Sequence, residues 1–189
     1  MVLEMDPAYA RRGVAMIQQL VAIQILVLDV DGVLTDGRFI LTEQGEEFKA
    51  FDAKDGHGLR MLMKAGIGVV ILSGRTSGAV EHRAKDLGIT EVYQGVRDKK
   101  PLLLKIIEQN GLSKEEVCCV GDDLPDLPLF PHAGVSIAVA DAVPEVRQAA
   151  TFITKSRGGH GAVREVCEVI LKAKNLWPYP SISDGTREK

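Results

Sequence analysis

Long apolar runs, cysteine pairs with C-x-x-C spacing and an excess of basic residues are all missing from this 189-residue sequence. No segment approaches the ~20 consecutive apolar residues of a membrane-spanning helix, so we expect no membrane association. The net charge of −3 argues against a nucleic-acid-binding protein. The three cysteines are an odd number without C-x-x-C spacing, which predicts reduced, buried thiols and a cytoplasmic location.

The N-terminal residues resemble a secretion signal only in part. Arg11 and Arg12 precede an apolar stretch, but acidic residues come before them and no small-residue cleavage site follows. Because the apolar stretch continues into the first predicted strand, we expect no signal peptide. We interpret residues 1–22 as an N-terminal helical extension, with an amphipathic helix over Tyr9–Leu20.

Short apolar strands alternate with helical segments along most of the chain. The predicted strands are Ile25–Leu28, Gly68–Leu72, Glu91–Tyr93, Val117–Val120, Val135–Val139 and Thr151–Ile153. The first predicted helix of the core begins near Asp55 and ends at Gly66. Further helices are predicted over Ala79–Leu87, Pro101–Asn110, Pro144–Ala149 and Ala162–Asn175. This alternation predicts an α/β fold with a doubly wound, Rossmann-like parallel sheet.

One stretch departs from this alternation. Two short apolar segments flank a glycine turn within about residues 38–52, which predicts an inserted β-hairpin. We therefore expect a single core over residues 23–177 that contains this hairpin. Residues 178–189 combine proline, serine, glycine and charges, a composition that predicts a disordered tail.

Two aspartates, Asp29 and Asp31, directly follow the first predicted strand. Burying a carboxylate is unfavourable unless it is paired or binds a metal, so both are better placed in a crevice. Crevices of open α/β sheets lie at the carboxyl ends of their strands, where ligands bind. Taken alone, the Asp31-Gly32 pair could equally serve a polar turn.

Further polar residues follow the later strands in chain order, and they suit phosphoryl transfer. The group comprises Ser73, Lys99, Asp122, Asp123 and Asp126. One carboxylate could attack phosphorus to form an aspartyl-phosphate while a second acid protonates the leaving oxygen. Carboxylate ligands would hold Mg²⁺ between the two anions, and a serine and a lysine would bind the phosphoryl oxygens. Each residue also has an ordinary explanation: a turn serine, a solvated lysine beside Lys100, or acids that cap a helix.

The order DxDGxxTD, SGR, lysine and GDDxxD resembles the haloacid dehalogenase superfamily of phosphohydrolases. This resemblance implies that Asp29 is the nucleophile and that Asp31 is the general acid/base, with its carbonyl also on the metal. It further implies phosphate binding by Ser73, Gly74 and Lys99, and a Mg²⁺ site completed by Asp122. An aspartate at position 31 implies cleavage of phosphate esters rather than dehalogenation.

Members of that superfamily usually carry a cap domain, but the segments between these motifs leave no room for one. A second subunit could cover the open site, since excluding water matters for this chemistry. The hairpin residues Phe39, Leu41, Phe48 and Phe51 are more apolar than an isolated ribbon would need. They could form a subunit interface or pack on their own domain.

The stretches GEEFKAFDAKDGHGLRML, VGDDLPDLP and GGHGAVREVCEVIL resemble the family of 3-deoxy-D-manno-octulosonate 8-phosphate phosphatases, which act in lipopolysaccharide precursor synthesis. That resemblance implies a capless homotetramer in which each hairpin covers a neighbouring site, and a small sugar-acid phosphate as substrate. The substrate carboxylate requires cations. The candidate substrate-binding residues are Thr35, Arg60, Arg75, Lys155 and Arg157. His160 stands where the family usually has arginine.

Two other interpretations remain open at this stage. Phosphatases of nine-carbon sugar-acid (nononate or neuraminate) 9-phosphates share the capless scaffold. A phospho-accepting receiver domain has a similar fold and acidic cluster, but it requires an aspartate at the end of its third strand. No aspartate ends Gly68–Leu72.

Overall fold

The computed structural model describes residues 17–178, and its centre is a six-stranded parallel sheet beside a separate two-stranded hairpin. In chain order the strands are β1 (Ile25–Leu28), β2 (Ile40–Leu41), β3 (Glu47–Phe48), β4 (Gly68–Leu72), β5 (Glu91–Tyr93), β6 (Val117–Gly121), β7 (Val135–Ala138) and β8 (Phe152–Ile153). The sheet order is β5-β4-β1-β6-β7-β8. The chain thus builds outward from β1 in one direction and then returns to build in the other. This is the predicted doubly wound topology, and β1 and β6 flank its switch point.

The three central strands are buried because helices cover both faces of the sheet. All four residues of β1 and all five of β6 are buried, which matches their continuous apolar sequences. Cys118 and Cys119 lie within β6, and these two thiols and that of Cys167 are free and buried, as predicted. Burial raises the pKa of all three thiols, so they are protonated at neutral pH.

The helices follow the predicted order with small shifts at their ends. Residues 17–22 form α1, followed by α2 (Ala53–Lys64), α3 (Gly78–Leu87), α4 (Lys99–Gln109), α5 (Pro144–Ala149) and α6 (Ala162–Ala173). Two 3-10 segments cover Lys114–Glu116 and Leu124–His132. Helix α4 begins two residues before the predicted Pro101 because the Asp98 side chain caps it by accepting a hydrogen bond from the Lys100 amide. That earlier start places Lys99 at the first position of the helix.

The hairpin is confirmed, and most of its apolar side chains face solvent. Strands β2 and β3 pair antiparallel, with Ile40 opposite Phe48. The side chains of Phe39, Ile40, Leu41 and Phe48 are about half exposed. Phe51 instead packs against the core of its own domain, which is the second of the two alternatives that the sequence left open.

The predicted absence of a cap domain is confirmed within residues 17–178. Only the hairpin and α2 separate β1 from β4, and only α3 and β5 separate β4 from α4. None of the helices in this part of the chain is long and apolar enough to span a bilayer. The predicted helix Tyr9–Leu20 lies mostly outside the described residues, as does nearly all of the predicted disordered tail.

Candidate active site

The switch point of the sheet brings two acidic loops together. Asp29 directly follows β1, and Asp122 directly follows β6. The Asp29 amide donates to the carbonyl of Val120 at 3.3 Å, which continues the pairing of β1 with β6. At Gly32, φ is +92° and an added Cβ would lie 2.0 Å from the Asp122 carboxylate. Only glycine lets the two loops approach this closely.

A cavity of about 290 Å³ opens at this edge of the sheet. It is lined by Asp29, Asp31, Gly37, Phe39, Ser73, Gly74, Arg75, Lys99, Asp122, Asp123 and Pro125. The structure therefore brings together eight residues that the sequence indicated as site candidates: Asp29, Asp31, Ser73, Gly74, Arg75, Lys99, Asp122 and Asp123. Asp29, Ser73 and Asp122 converge because β1, β4 and β6 are neighbours in one parallel sheet, so that their carboxyl ends meet at one edge.

Lys99 is a buried cation at the centre of the site. Its ammonium lies 2.9 Å from Asp29 and 2.7 Å from Asp126, and its side chain is only 2% exposed. Burial alone would lower the pKa of Lys99, but the Asp126 and Asp29 carboxylates outweigh it and the pKa is raised. The neighbouring Lys100 is exposed. Lys99 rather than Lys100 therefore faces the carboxylates.

Negative charge exceeds positive charge at the centre of the site. Oxygen atoms of Asp29, Asp122 and Asp126 all lie within 4.8 Å of one another, against the single ammonium of Lys99. Burial first, followed by repulsion from Asp126 and Asp29, raises the pKa of Asp122 to about 8. Burial and then Asp126 raise the pKa of Asp29 to about 6, although Lys99 opposes the rise.

This donor set fits a hard divalent cation. Asp122 Oδ1 is buried and has no hydrogen-bond partner, and buried polar atoms of this kind need one. The Asp126 carboxylate already accepts from Lys99 and from the amides of Asp122 and Asp123. The oxygens left to coordinate an ion are therefore those of Asp29 and Asp122, and carboxylates are the ligands that Mg²⁺ prefers.

Comparison with known proteins supports this interpretation. Residues 88–166 match the family model of haloacid dehalogenase-like hydrolases. The 3-deoxy-D-manno-octulosonate 8-phosphate phosphatase of Yersinia pestis is 42% identical over 170 residues, which are 90% of this chain and 91% of that protein. The enzyme of the same name from Escherichia coli strain K12 is 45% identical over 152 residues, 80% of this chain and 81% of the relative. This chain belongs to the haloacid dehalogenase-like hydrolases.

A solved structure shows the same relationship at the level of the fold. The 3-deoxy-D-manno-octulosonate 8-phosphate phosphatase of Moraxella catarrhalis, crystallised with a magnesium ion, a phosphate ion and KDO, superposes with a TM-score of 0.83. It is 42% identical in sequence, and the match covers 85% of this chain and 92% of that one. The resemblance to the hydrolase family that the motifs indicated is therefore confirmed.

In this haloacid dehalogenase-like hydrolase, the hairpin supplies residues that sequence reasoning missed. The Lys49 ammonium contacts the Asp31 carboxylate and lies 3.1 Å from Glu47. Glu47 in turn binds Arg75 at 2.8 Å. The alternation along Glu47, Phe48 and Lys49 is the sequence signal that could have found them, because every second side chain of a strand points to the same face.

Four of the five predicted substrate-binding residues do not line the cavity. The Thr35 hydroxyl is buried, donates to the Val30 carbonyl and accepts from the Gly32 and Gly37 amides, so it organises the loop after β1. Arg60 binds the carbonyl and carboxylate of Asp86.

The other two of these residues lie on the loop before α6. Lys155 is held through its amide by Glu165, and Arg157 lies 3.9 Å from Asp141. Arg75 alone among the five predicted substrate residues lines the cavity. The sequence could not reveal this, because a cation's position relative to the cavity depends on tertiary packing.

The loop before α6 packs directly on the loop that follows β1. A Cβ added at Gly158 would lie 1.7 Å from the Gly32 carbonyl oxygen, and the Gly159 amide donates to the Val33 carbonyl at 3.0 Å. His160, which stands where the family resembled usually has arginine, lies in this same loop before α6. The glycines are therefore required by close packing of two backbones.

Proposed function

We propose that this hydrolase converts 3-deoxy-D-manno-octulosonate 8-phosphate and water into the free sugar acid and phosphate, in lipopolysaccharide precursor synthesis. The observation that carries the proposal is the cavity shared by Asp29, Asp31, Lys99 and Asp122, in a chain 42% identical to a phosphatase of this name over 90% of its length. The cofactor is Mg²⁺, held by carboxylate oxygens of Asp29 and Asp122 and by the carbonyl of Asp31. When bound, Mg²⁺ screens the charge between nucleophile and phosphate.

Asp29 is the nucleophile. Its carboxylate oxygen attacks phosphorus, the bond from phosphorus to the sugar oxygen breaks, and Asp31 passes its proton to that oxygen. In the second half, Asp31 takes a proton from water as the water oxygen attacks phosphorus and releases phosphate from Asp29. The Lys99 ammonium, 2.9 Å from Asp29, opposes the rise that burial and Asp126 cause in the pKa of this carboxyl and so favours its ionised form.

The phosphoryl oxygens are bound by Ser73, Gly74 and Lys99. All three line the cavity, and Ser73 lies at the end of β4, beside the strand that carries Asp29. Donors fixed before the reaction stabilise charge on these oxygens without reorganising. We assign binding of the substrate carboxylate to Arg75, because it lines the cavity and its guanidinium has five N–H donors, more than its contacts with Glu47 and Asp31 use.

The open site is covered by assembly. Phe39, Ile40, Leu41 and Phe48 expose about half of their side chains beside the cavity, which Phe39 itself lines. We propose a homotetramer in which the hairpin of one subunit lies over the neighbouring site, since closed symmetric oligomers commonly bury such patches. The three free, buried thiols support a cytoplasmic location.

The test is phosphate release from a panel of sugar-acid phosphates in the presence of Mg²⁺. We expect the highest kcat/KM on the eight-carbon ester and no turnover by Asp29→Asn. Asp86→Asn, which removes a surface carboxylate distant from the cavity lining, is the control and should retain activity. Equal or faster turnover of a nine-carbon 9-phosphate ester would overturn the substrate assignment. Retention of a phosphoryl group without turnover would overturn the hydrolase assignment and favour a receiver domain.

A further inference from the structure

A lysine of the hairpin contacts the acid/base carboxylate from behind the cavity. The Lys49 ammonium pairs with Asp31, and the Lys49 side chain is only 1% exposed. Of the described residues, Asp31, Phe39 and Arg75 line the cavity, whereas Lys49 does not. Lys49 is therefore placed to act on Asp31 and not on a ligand in the cavity.

Lys49 belongs to a closed group of four alternating charges. It bridges Asp31 and Glu47, the latter at 3.1 Å, and Glu47 binds Arg75 at 2.8 Å. Arg75 closes the group by lying 3.9 Å from the second oxygen of Asp31. The Phe39 ring contacts both cations, 5.1 Å from the ammonium and 4.2 Å from the guanidinium. Each oxygen of Asp31 thus has a cationic neighbour, the buried Lys49 at one and the half-exposed Arg75 at the other.

An orientation device of this kind suits a residue that must give and take a proton at one point in space. A carboxylate free to rotate would seldom present the correct oxygen to the leaving group, and small misplacements are costly in catalysis. Two of the four charges, Glu47 and Lys49, come from the hairpin. The hairpin therefore reaches Asp31 within its own subunit.

We propose that Lys49 is a positioning residue for Asp31, whose carboxylate it holds in line to give a proton to the departing oxygen and then to take one from the attacking water. The inference rests on the acid/base role proposed for Asp31. It does not depend on which sugar acid is the substrate, because it concerns any ester whose leaving oxygen needs a proton.

The discriminating experiment compares two leaving groups. A sugar alkoxide must be protonated as its bond to phosphorus breaks, whereas 4-nitrophenolate leaves as a stable anion. For Lys49→Met we expect kcat on the eight-carbon sugar-acid phosphate to fall at least about tenfold, part of the roughly 10²–10⁴ that general acid–base catalysis supplies. KM should stay close to that of the wild type, and kcat on 4-nitrophenyl phosphate should fall much less. Lys49→Arg, which keeps the charge, should restore most of the loss.

Lys172→Met is the matched control, because it removes a lysine of α6 that is 54% exposed, pairs with Glu168 at 2.8 Å, and belongs neither to the hairpin nor to the cavity lining. This variant should leave kcat on both substrates unchanged. Lys49→Gln is measured in parallel under the same criterion, so that poor folding of one variant does not remove the test. Equal losses on both esters, or no loss on the sugar ester, would overturn the inference. If the wild type cleaves other alkyl phosphates but not the sugar-acid ester, the proposed substrate is wrong. The role of Lys49 is then tested by comparing such an alkyl phosphate with 4-nitrophenyl phosphate.

Discussion

Replacing Asp55 by asparagine should change how the stability of the protein depends on pH. Asp55 lies in the first turn of α2, is 1% exposed, and accepts a hydrogen bond from the Arg164 amide at 2.7 Å at the start of α6. Its second oxygen, Oδ2, is buried without a partner. Burial is the main cause that raises the pKa of Asp55 from its ordinary value of 3.8 to about 6.

The sign and size of the effect follow from this shift. An acid whose pKa is higher in the folded state binds its proton more tightly there, so its contribution to stability is complete below pH 3.8 and is lost as the pH rises through 6. The loss amounts to about 3 kcal/mol of unfolding free energy between the two limits. Asparagine at this position has no charge to bury. The stability of the wild type relative to Asp55→Asn should therefore fall by up to about 3 kcal/mol between pH 4 and pH 7.

The measurement is urea unfolding of both proteins at several values of pH across this range. Asp52→Asn, which removes a less buried carboxylate that caps the same helix, is the control for loss of negative charge. The reasoning is refuted if the stability difference between wild type and Asp55→Asn is independent of pH. It is also refuted if the wild type gains stability relative to Asp55→Asn as the pH rises, because the start of α6 would then stabilise the charged form.

Two further substitutions probe the site's architecture. Lys99→Met removes the ammonium that pairs with Asp29, which is 14% exposed, and with Asp126, which is 1% exposed. It should lower the unfolding free energy at pH 7 by about 3–5 kcal/mol and should also lower turnover. An unchanged Tm in thermal unfolding would contradict the pairing with Asp29. Gly158→Ala should reduce kcat more than Gly78→Ala, because its Cβ would lie 1.7 Å from the Gly32 carbonyl whereas Gly78 has open space around it. Equal kcat values for the two alanine variants would contradict this prediction, because the loops would then accommodate the added Cβ without loss of catalysis.

Much of the fold was predictable because its signals are local. The β-branched and leucine-rich segments of β1, β4 and β6 specify buried parallel strands, and the residues that follow them must meet at one edge. The positions of Asp29, Ser73 and Asp122 relative to one another follow from that rule alone. The hairpin was also predictable, because a glycine turn separates its two strands.

The remaining features depend on tertiary packing. Whether Lys99 or Lys100 faces the carboxylates depends on where α4 begins, which the Asp98 cap decides. The alternation along Glu47, Phe48 and Lys49 could indicate that Glu47 and Lys49 share a face, but the contact of Lys49 with Asp31 depends on where tertiary packing places the hairpin relative to the loop after β1. Thr35 is a further example, because its hydroxyl, predicted from the sequence to bind substrate, instead hydrogen-bonds within its own loop.

The central claim is that carboxylates from two distant loops share one divalent cation beside a phosphoryl group. A crystal structure of the protein with magnesium and a vanadate mimic of phosphate tests it most directly. The account predicts one ion with oxygens of Asp29 and Asp122 about 2.0–2.1 Å away, and vanadate between Asp29 and Lys99. An ion that binds only one of these carboxylates, or vanadate bound away from Asp29, would contradict it.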